Sequence, residues 1–146
     1  MLLNISIAAF IMVLTTAIHA GGMLLIMNAM HRRQSHLSHQ WQKSNIYWVA
    51  GTVLVMFFVS LLEVLVWAYT FLLLNAIEGF EAALYFSMVT FTTLGYGDVL
   101  LEENWRLLGS FAAANGIIMF GWTTAIVLAV VQNVYYGDKH KSKHES

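Results

Sequence analysis

The sequence contains no cysteine and no proline, and it has few charged residues. Only 10% of its 146 residues are charged and 59% are hydrophobic, whereas soluble domains carry about 25% charged residues. Without cysteine, disulfides and thiolate metal sites are excluded. Without proline, a helix bend requires glycine or hydroxyl residues. The composition predicts an integral membrane protein with no separate soluble domain, and its net charge of −1 does not indicate a nucleic-acid partner.

Three long apolar stretches alternate with short polar segments. Residues 1–30 contain no charged residue and exceed the roughly 20 residues that span a bilayer. A cleaved signal peptide is the alternative, but the positive n-region is absent and Ile18–Ala20 is a poor cleavage site. Residues 46–77 form the second predicted span, with aromatic residues near both ends as in membrane helices. Residues 104–134 form the third.

Lysine and arginine are concentrated in two polar segments, the linker 31–45 and the tail 135–146. Between the second and third spans the only basic residue is Arg106, and several acidic residues accompany it. Because cytoplasmic loops are enriched in Lys and Arg, both segments are predicted to be cytoplasmic and the N-terminus to lie outside, with the plasma membrane as the default location. The basic residues are Arg32, Arg33, Lys43, Lys139, Lys141 and Lys143, and the acidic residues opposite them are Glu78, Glu81, Asp98, Glu102 and Glu103.

Histidines also gather in the linker and the tail. Because histidine titrates near neutral pH, intracellular proton sensing is an alternative to a merely solvated basic segment, whereas these spacings favour metal binding less. Leu37 and Trp41 are four residues apart, so a short interfacial helix is a further alternative. The histidines are His31, His36, His39, His140 and His144.

A glycine-rich segment, Thr92–Asp98 (TTLGYGD), lies between the second and third spans. Glycine adopts backbone angles that other residues resist, which Gly95 and Gly97 would supply. The preceding residues 81–92 would form a helix about 18 Å long at 1.5 Å per residue, enough for only half a membrane. Residues 46–133 therefore resemble the pore module of potassium channels, whose usual filter sequence is Thr-Val-Gly-Tyr-Gly. Leu94 stands here in place of the valine.

The resemblance implies an all-α membrane protein with an outer helix (46–77), a re-entrant pore helix (81–92), a filter (93–97) and an inner helix (104–134). In that family, rings of backbone carbonyls replace the hydration shell of K⁺. One filter strand does not surround an ion, so a homotetramer follows, with K⁺ as the permeant ion and no other cofactor. The implied ion-binding residues are Thr93, Leu94, Gly95, Tyr96 and Gly97, with K⁺ at the first four.

The resemblance extends to the inner helix. Gly116 matches the position of a gating hinge in simple bacterial potassium channels, although glycine in a membrane helix is also a common packing notch. Ile117, Phe120 and Thr124 match residues that line the cavity. These assignments predict which side of the third span faces the pore.

The support of the filter departs from the family pattern. In simple bacterial members a pore-helix Glu pairs with the filter's Asp, and an aromatic donor assists. The matching positions here hold Val89 and Phe86, and neither side chain can form a hydrogen bond with Asp98. The usual brace is therefore predicted to be missing.

Glu63 is the only acidic residue inside a predicted span. An intramembrane carboxylate is costly and is usually paired or functional. We expect Glu63 to support the filter by a hydrogen bond to the pore helix, through Tyr85, Ser87 or Thr90, or to the flank of the filter near Asp98. The alternatives are snorkelling towards Arg106 or protonation among lipids.

The leading functional prediction is a potassium-selective channel, with a weakly selective cation channel and a non-conducting membrane subunit as alternatives. Enzymatic function is not expected, because no nucleophile–base pair, metal-ligand set or phosphate-binding loop is found. Regularly spaced arginines typical of a voltage sensor are also absent. Two features stay open: whether the first span packs outside the outer helix or mediates subunit contacts, and whether His19 is more than a hydrogen-bonded packing residue.

Overall fold

The computed structural model describes residues 2–34 and 44–142, with side chains for 2–32 and 46–134. Within these ranges the regular structure is entirely helical: α1 (Leu2–Gln34), α2 (Ser44–Leu73), α3 (Phe80–Phe91) and α4 (Arg106–Ser142). Three segments, Leu2–Arg32, Ile46–Leu73 and Arg106–Val134, are long and apolar enough to cross a membrane. Helix α3, with 12 residues, is too short to do so. The protein is an all-helical integral membrane protein.

Several helix ends differ from the boundaries expected from the sequence: α1 continues to Gln34, and the ends of α2 and α4 also differ. Helix α2 ends at Leu73 rather than at residue 77 because Asn75 takes a positive φ of 50°. The Ala76 N–H donates to the Phe71 carbonyl at 2.9 Å and the Asn75 N–H to the Leu72 carbonyl at 3.0 Å. This is a Schellman motif, which satisfies the last carbonyls of a helix, and asparagine tolerates the left-handed position better than most residues.

Helix α4 continues past residue 134 to Ser142, so the backbone of most of the predicted tail is helical. Residues 35–43 and 143–146, with the proposed interfacial helix around Leu37 and Trp41, lie outside the described residues.

Helix α1 packs against both α2 and α4 of its own chain, and a role of α1 in subunit contacts stays a prediction. Its buried residues recur every three or four positions, as on one face of a helix. Gly22 lies where α1 approaches α2, and a Cβ atom there would lie 2.6 Å from Val59 Cγ2. The buried residues of this face are Asn4, Ala8, Ile11, Thr15, His19, Gly22 and Ile26.

Helix α3 lies between α2 and α4 and is held by aromatic contacts. The Phe86 ring meets Phe71 of α2 at 5.2 Å and 87°, and the Phe91 ring meets Phe120 of α4 at 5.7 Å and 74°. Edge-to-face pairs of this kind are favourable beyond the area that they bury. The short helix and the segment that follows it are thereby positioned between two long helices.

Because Gly22 touches Val59, we expect Gly22→Val to destabilise the fold by about 1–3 kcal/mol, the usual cost of overpacking. The stiff Val59 side chain has little freedom to withdraw within a helix. Thermal unfolding of the detergent-solubilised protein measures the effect as a lower midpoint. The control is Gly21→Val, which places the same side chain on the same helix where nothing lies within 4 Å; equal midpoints for the two variants would contradict the packing described.

Candidate functional site

The glycine-rich segment leaves α3 through a second Schellman motif. The Thr93 N–H donates to the Thr90 carbonyl and the Leu94 N–H to the Val89 carbonyl, both at 2.9 Å. The Gly95 N–H also reaches the Val89 carbonyl, at 3.3 Å. These bonds satisfy carbonyls at the end of the helix. Backbone hydrogen bonds therefore attach the start of the segment directly to the end of α3.

Along this segment the sign of φ alternates from residue to residue. Thr93, Gly95 and Gly97 have positive φ of 60°, 55° and 78°, whereas Leu94 and Tyr96 do not. Alternating left-handed and right-handed residues turn successive carbonyl groups to the same side of the chain. Glycine takes the left-handed conformation freely, but a β-branched threonine there is a strained outlier that costs about 1–3 kcal/mol. The surrounding structure therefore holds Thr93 in a conformation that the residue itself disfavours.

All five residues from Thr93 to Gly97 are exposed on the single chain. Leu94 is 54% exposed and Tyr96 is 69% exposed. Large apolar side chains on a backbone held in a strained conformation mark a surface that takes part in recognition or assembly. On the single chain this segment therefore presents its apolar side chains outward.

Tyr85 of α3 supports the far end of the segment. Its hydroxyl donates to Asp98 Oδ2 at 2.5 Å, and the Val99 N–H donates to Asp98 Oδ1 at 3.1 Å. The hydrogen bond from Tyr85 lowers the pKa of Asp98, and it raises the pKa of the Tyr85 phenol. No hydrogen bond joins Val89 or Phe86 to Asp98 among the described residues, as expected from the sequence, and Tyr85, one position before Phe86, bonds to Asp98 instead.

Glu63 does not bond to α3, contrary to the sequence-based hypothesis. Its Oε1 lies 2.8 Å from His19 Nδ1, and both side chains have 0% exposure. Arg106, the alternative partner, instead faces Glu103 at 3.6 Å on the exposed surface. The second carboxylate oxygen, Oε2, is buried without a partner among the described residues, as is Ser87 Oγ. The signal for this pair was present: His19 and Glu63 are the only histidine and the only acid in the predicted spans 1–30, 46–77 and 104–134.

Thr90 also differs from the expectation. Its carbonyl receives the Thr93 N–H, so it supports the segment through its backbone, and the described structure places no hydrogen bond between Thr90 and Glu63.

The predicted cavity residues lie on the exposed side of α4, where Phe120 also contacts Phe91 of α3. Ile117, Phe120 and Thr124 are exposed, whereas Asn115 and Met119 are buried against the other helices. Ile117, Phe120 and Thr124 are three and four positions apart, so they share one side of the helix. One face of α4 is therefore free for other contacts.

Gly116 lies directly beneath the end of α3. A Cβ atom there would overlap the carbonyl group of Phe91. Only glycine permits backbone to approach this closely. The structure thus supports the packing-notch interpretation of Gly116, and a hinge role stays a prediction.

Metal ligation by the histidines receives no support from the described residues. In residues 2–32 and 46–134 no group of three or more His, Asp or Glu could hold a metal ion. His36, His39, His140 and His144 lie outside the described side chains, and His31 is exposed.

A family model described as "Ion channel" matches residues 57–133, more than half of the chain. The match begins within α2, includes α3 and the glycine-rich segment, and ends in α4; it does not include α1. Comparisons with curated proteins and with solved structures give no significant match.

We expect Gly116→Ala to destabilise the protein by about 1–3 kcal/mol, because the new methyl group would overlap the Phe91 carbonyl. The thermal midpoint in detergent is the measurement. The control is Gly51→Ala, which adds the same group where nothing lies within 4 Å and should leave the midpoint unchanged or raise it slightly. An unchanged midpoint for Gly116→Ala would show that α3 does not rest on α4 at this point.

We expect Tyr85→Phe to raise the pKa of Asp98 towards its ordinary value, because the phenol hydrogen bond favours the carboxylate. The depressed pKa of Asp98 means that this contribution to stability is complete at neutral pH. It is lost only as the pH falls through the depressed value. Titration of the Asp98 side-chain carboxyl by carbon NMR in both proteins measures the difference, and coincident titration curves would argue against the brace.

Proposed function

We propose that this chain, which belongs to the ion channel family, is a potassium-selective channel that conducts K⁺ passively across the membrane. The observation that carries the proposal is the alternating sign of φ at Thr93, Gly95 and Gly97. An ion filter requires a row of backbone carbonyls with a common direction, and this conformation supplies it. The residues on either side belong to the matched family region.

In the proposed mechanism, K⁺ exchanges its hydration shell for the carbonyl oxygens of Thr93, Leu94, Gly95 and Tyr96. The Thr93 hydroxyl adds an oxygen at the inner end of the row, and Gly97 completes the strand. The C-terminal end of α3, where a helix carries partial negative charge, points towards the start of this row and favours a cation there. Passive conduction follows, because adjacent sites permit ions to displace one another.

The site requires four chains in this proposal. A single strand offers carbonyls from one side only, and Leu94 and Tyr96 are left exposed. A homotetramer with a central four-fold axis closes the ring and covers these side chains. Helix α3 then enters the membrane and the glycine-rich segment returns, as a re-entrant hairpin. The exposed face of α4, with Ile117, Phe120 and Thr124, lines the cavity below.

The orientation in the proposal follows from charge. Among the described side chains, the loops around the glycine-rich segment carry Glu78, Glu81, Glu102 and Glu103 together with Asp98, and an acidic outer mouth concentrates cations. The basic linker and tail then face the cytoplasm, and the N-terminus lies outside the cell. A plasma membrane is the proposed location.

A weakly selective cation channel is the second candidate, and Leu94 is the observation that favours it. Leucine lacks the β-branched stiffness of the usual valine, so its carbonyl is less firmly oriented. The Tyr85–Asp98 hydrogen bond opposes this effect by tying the outer end of the strand to α3. The relative fluxes of K⁺ and Na⁺ distinguish the two candidates.

The test is ion flux into liposomes that contain the purified protein. We expect K⁺ to enter much faster than Na⁺, and Gly97→Ala to abolish the flux, because φ of 78° is strained for any residue with a side chain. Gly51→Ala is the control, since Gly51 lies in α2 without a positive φ and should leave the flux intact. Equal K⁺ and Na⁺ entry would indicate the second candidate, and flux unaffected by Gly97→Ala would exclude this segment as the pathway.

A further inference from the structure

Helix α1, which lies outside the matched family region, forms polar contacts with the α4 segment at three points. Near the outer end, Asn4 donates to the carbonyl of Asn104, just before α4 begins. Deeper, the Asn115 side-chain amide donates to Thr15 Oγ1 at 3.0 Å, while the single Thr15 hydroxyl hydrogen is shared between the Ile11 carbonyl at 3.0 Å and Asn115 Oδ1 at 3.3 Å. Deeper still, His19 Nε2 lies 3.4 Å from Thr123 Oγ1. These contacts are distributed along the segment from Asn104 to Thr123.

His19 is the centre of this arrangement because its ring contacts two other helices. Nδ1 meets Glu63 of α2 at 2.8 Å, and Nε2 faces Thr123 of α4. The Trp122 ring lies 5.1 Å from the imidazole and closes one side of it. Both side chains are fully buried, and a polar group inside a membrane span is costly unless it is paired. Helix α1 is thus attached by hydrogen bonds to α2, through His19 and Glu63, and to α4.

Directional contacts of this kind matter for α4, because it is apolar on all sides. Its buried side holds Leu108, Met119 and Ile126, and its exposed side holds Ile117 and Phe120. Within a membrane, hydrophobicity does not decide which side faces inward, since lipid is as apolar as the protein core. Hydrogen bonds have fixed partners and fixed directions. The polar contacts with α1 are therefore suited to set the rotation of α4 about its own axis.

We propose that α1 sets the rotational position of α4 and so determines which residues line the ion cavity, with Thr15 and His19 as positioning residues. The inference rests on the proposed function, because it takes Ile117 and Phe120 as cavity residues. A rotation of one residue, 100° in an α-helix, would move Asn115 or Met119 towards the cavity in their place. The close approach of Gly116 to the Phe91 carbonyl restrains α4 from the side of α3, and loss of the α1 contacts removes the second restraint, so that α4 rotates more readily.

The absence of cysteine from the chain makes the test direct, since single cysteines can be introduced without further changes. Two reporters, Phe120→Cys on the exposed side and Met119→Cys on the buried side, are labelled with a small water-soluble methanethiosulfonate in detergent. The extent of labelling over time is read by mass spectrometry. In the otherwise native protein we expect rapid labelling of Phe120→Cys and slow labelling of Met119→Cys.

The test variant combines Thr15→Val with Thr123→Val. It removes the two hydroxyls that take part in hydrogen bonds between α1 and α4, and it leaves the His19–Glu63 pair intact. We expect the ratio of the two labelling rates to fall by roughly tenfold, as for the loss of one to two net hydrogen bonds. The rescue variant, Thr15→Ser with Thr123→Ser, keeps both hydroxyls and should keep the ratio. Ile26→Ala is the matched control, because it removes a buried apolar contact of α1 without touching a hydrogen bond.

The outcomes separate this inference from the proposed function. A ratio that the valine variant leaves unchanged would overturn the inference while the proposed function stands, as would an equal fall in Ile26→Ala. Equal labelling of the two reporters in the native background would remove the cavity assignment and both proposals with it. If the valine pair does not assemble, Thr123→Val alone is compared with Thr123→Ser. A fall confined to the valine variant again supports the inference, and no difference overturns it.

Discussion

The contact between the end of α3 and Gly116 of α4 is the constraint on which the rest of the site depends. The carbonyl of Phe91 approaches Gly116 so closely that no Cβ atom fits between them. This contact sets the depth at which α3 stops, and the Phe91–Phe120 ring pair secures it from the side. The Schellman motif then turns the chain away from the helix and begins the alternation of φ signs. Strain at Thr93 is tolerated because both ends of the turn are held.

Buried polar groups determine how the three long helices are arranged around that contact. In an apolar medium an unpaired polar side chain costs free energy, so polar groups on different helices seek one another. The pairs His19–Glu63 and Thr15–Asn115 arise in this way, and they tie α1 to the two helices of the pore module. Helix α1 lies outside the matched family region, but these polar pairs make it an integral part of the helix packing in this chain.

Two interactions that the sequence did not identify share one cause. The support of Asp98 was sought at the positions used by simple bacterial potassium channels, and a tyrosine one residue earlier on α3 reaches this carboxylate. Glu63 was assigned to α3 from its expected depth in the membrane, because the sequence does not indicate how each helix is rotated about its axis. The distance between side chains depends on how each helix is rotated, and residues at equal depth can face opposite directions. His19 lies on a helix whose neighbours the sequence did not identify.

The sequence by itself determined the class of protein, the number of long apolar helices and the glycine-rich segment, because composition, length and residue type are local properties. It also placed Ile117, Phe120 and Thr124 on one side of a helix, since their spacing alone requires it. Only the tertiary structure decided that α1 packs inside the chain, that Glu63 pairs with His19, and that Tyr85 holds Asp98. It also showed that Asn75 ends α2 four residues early. These outcomes depend on helix rotation and on the distance between residues remote in the chain, which no local pattern specifies.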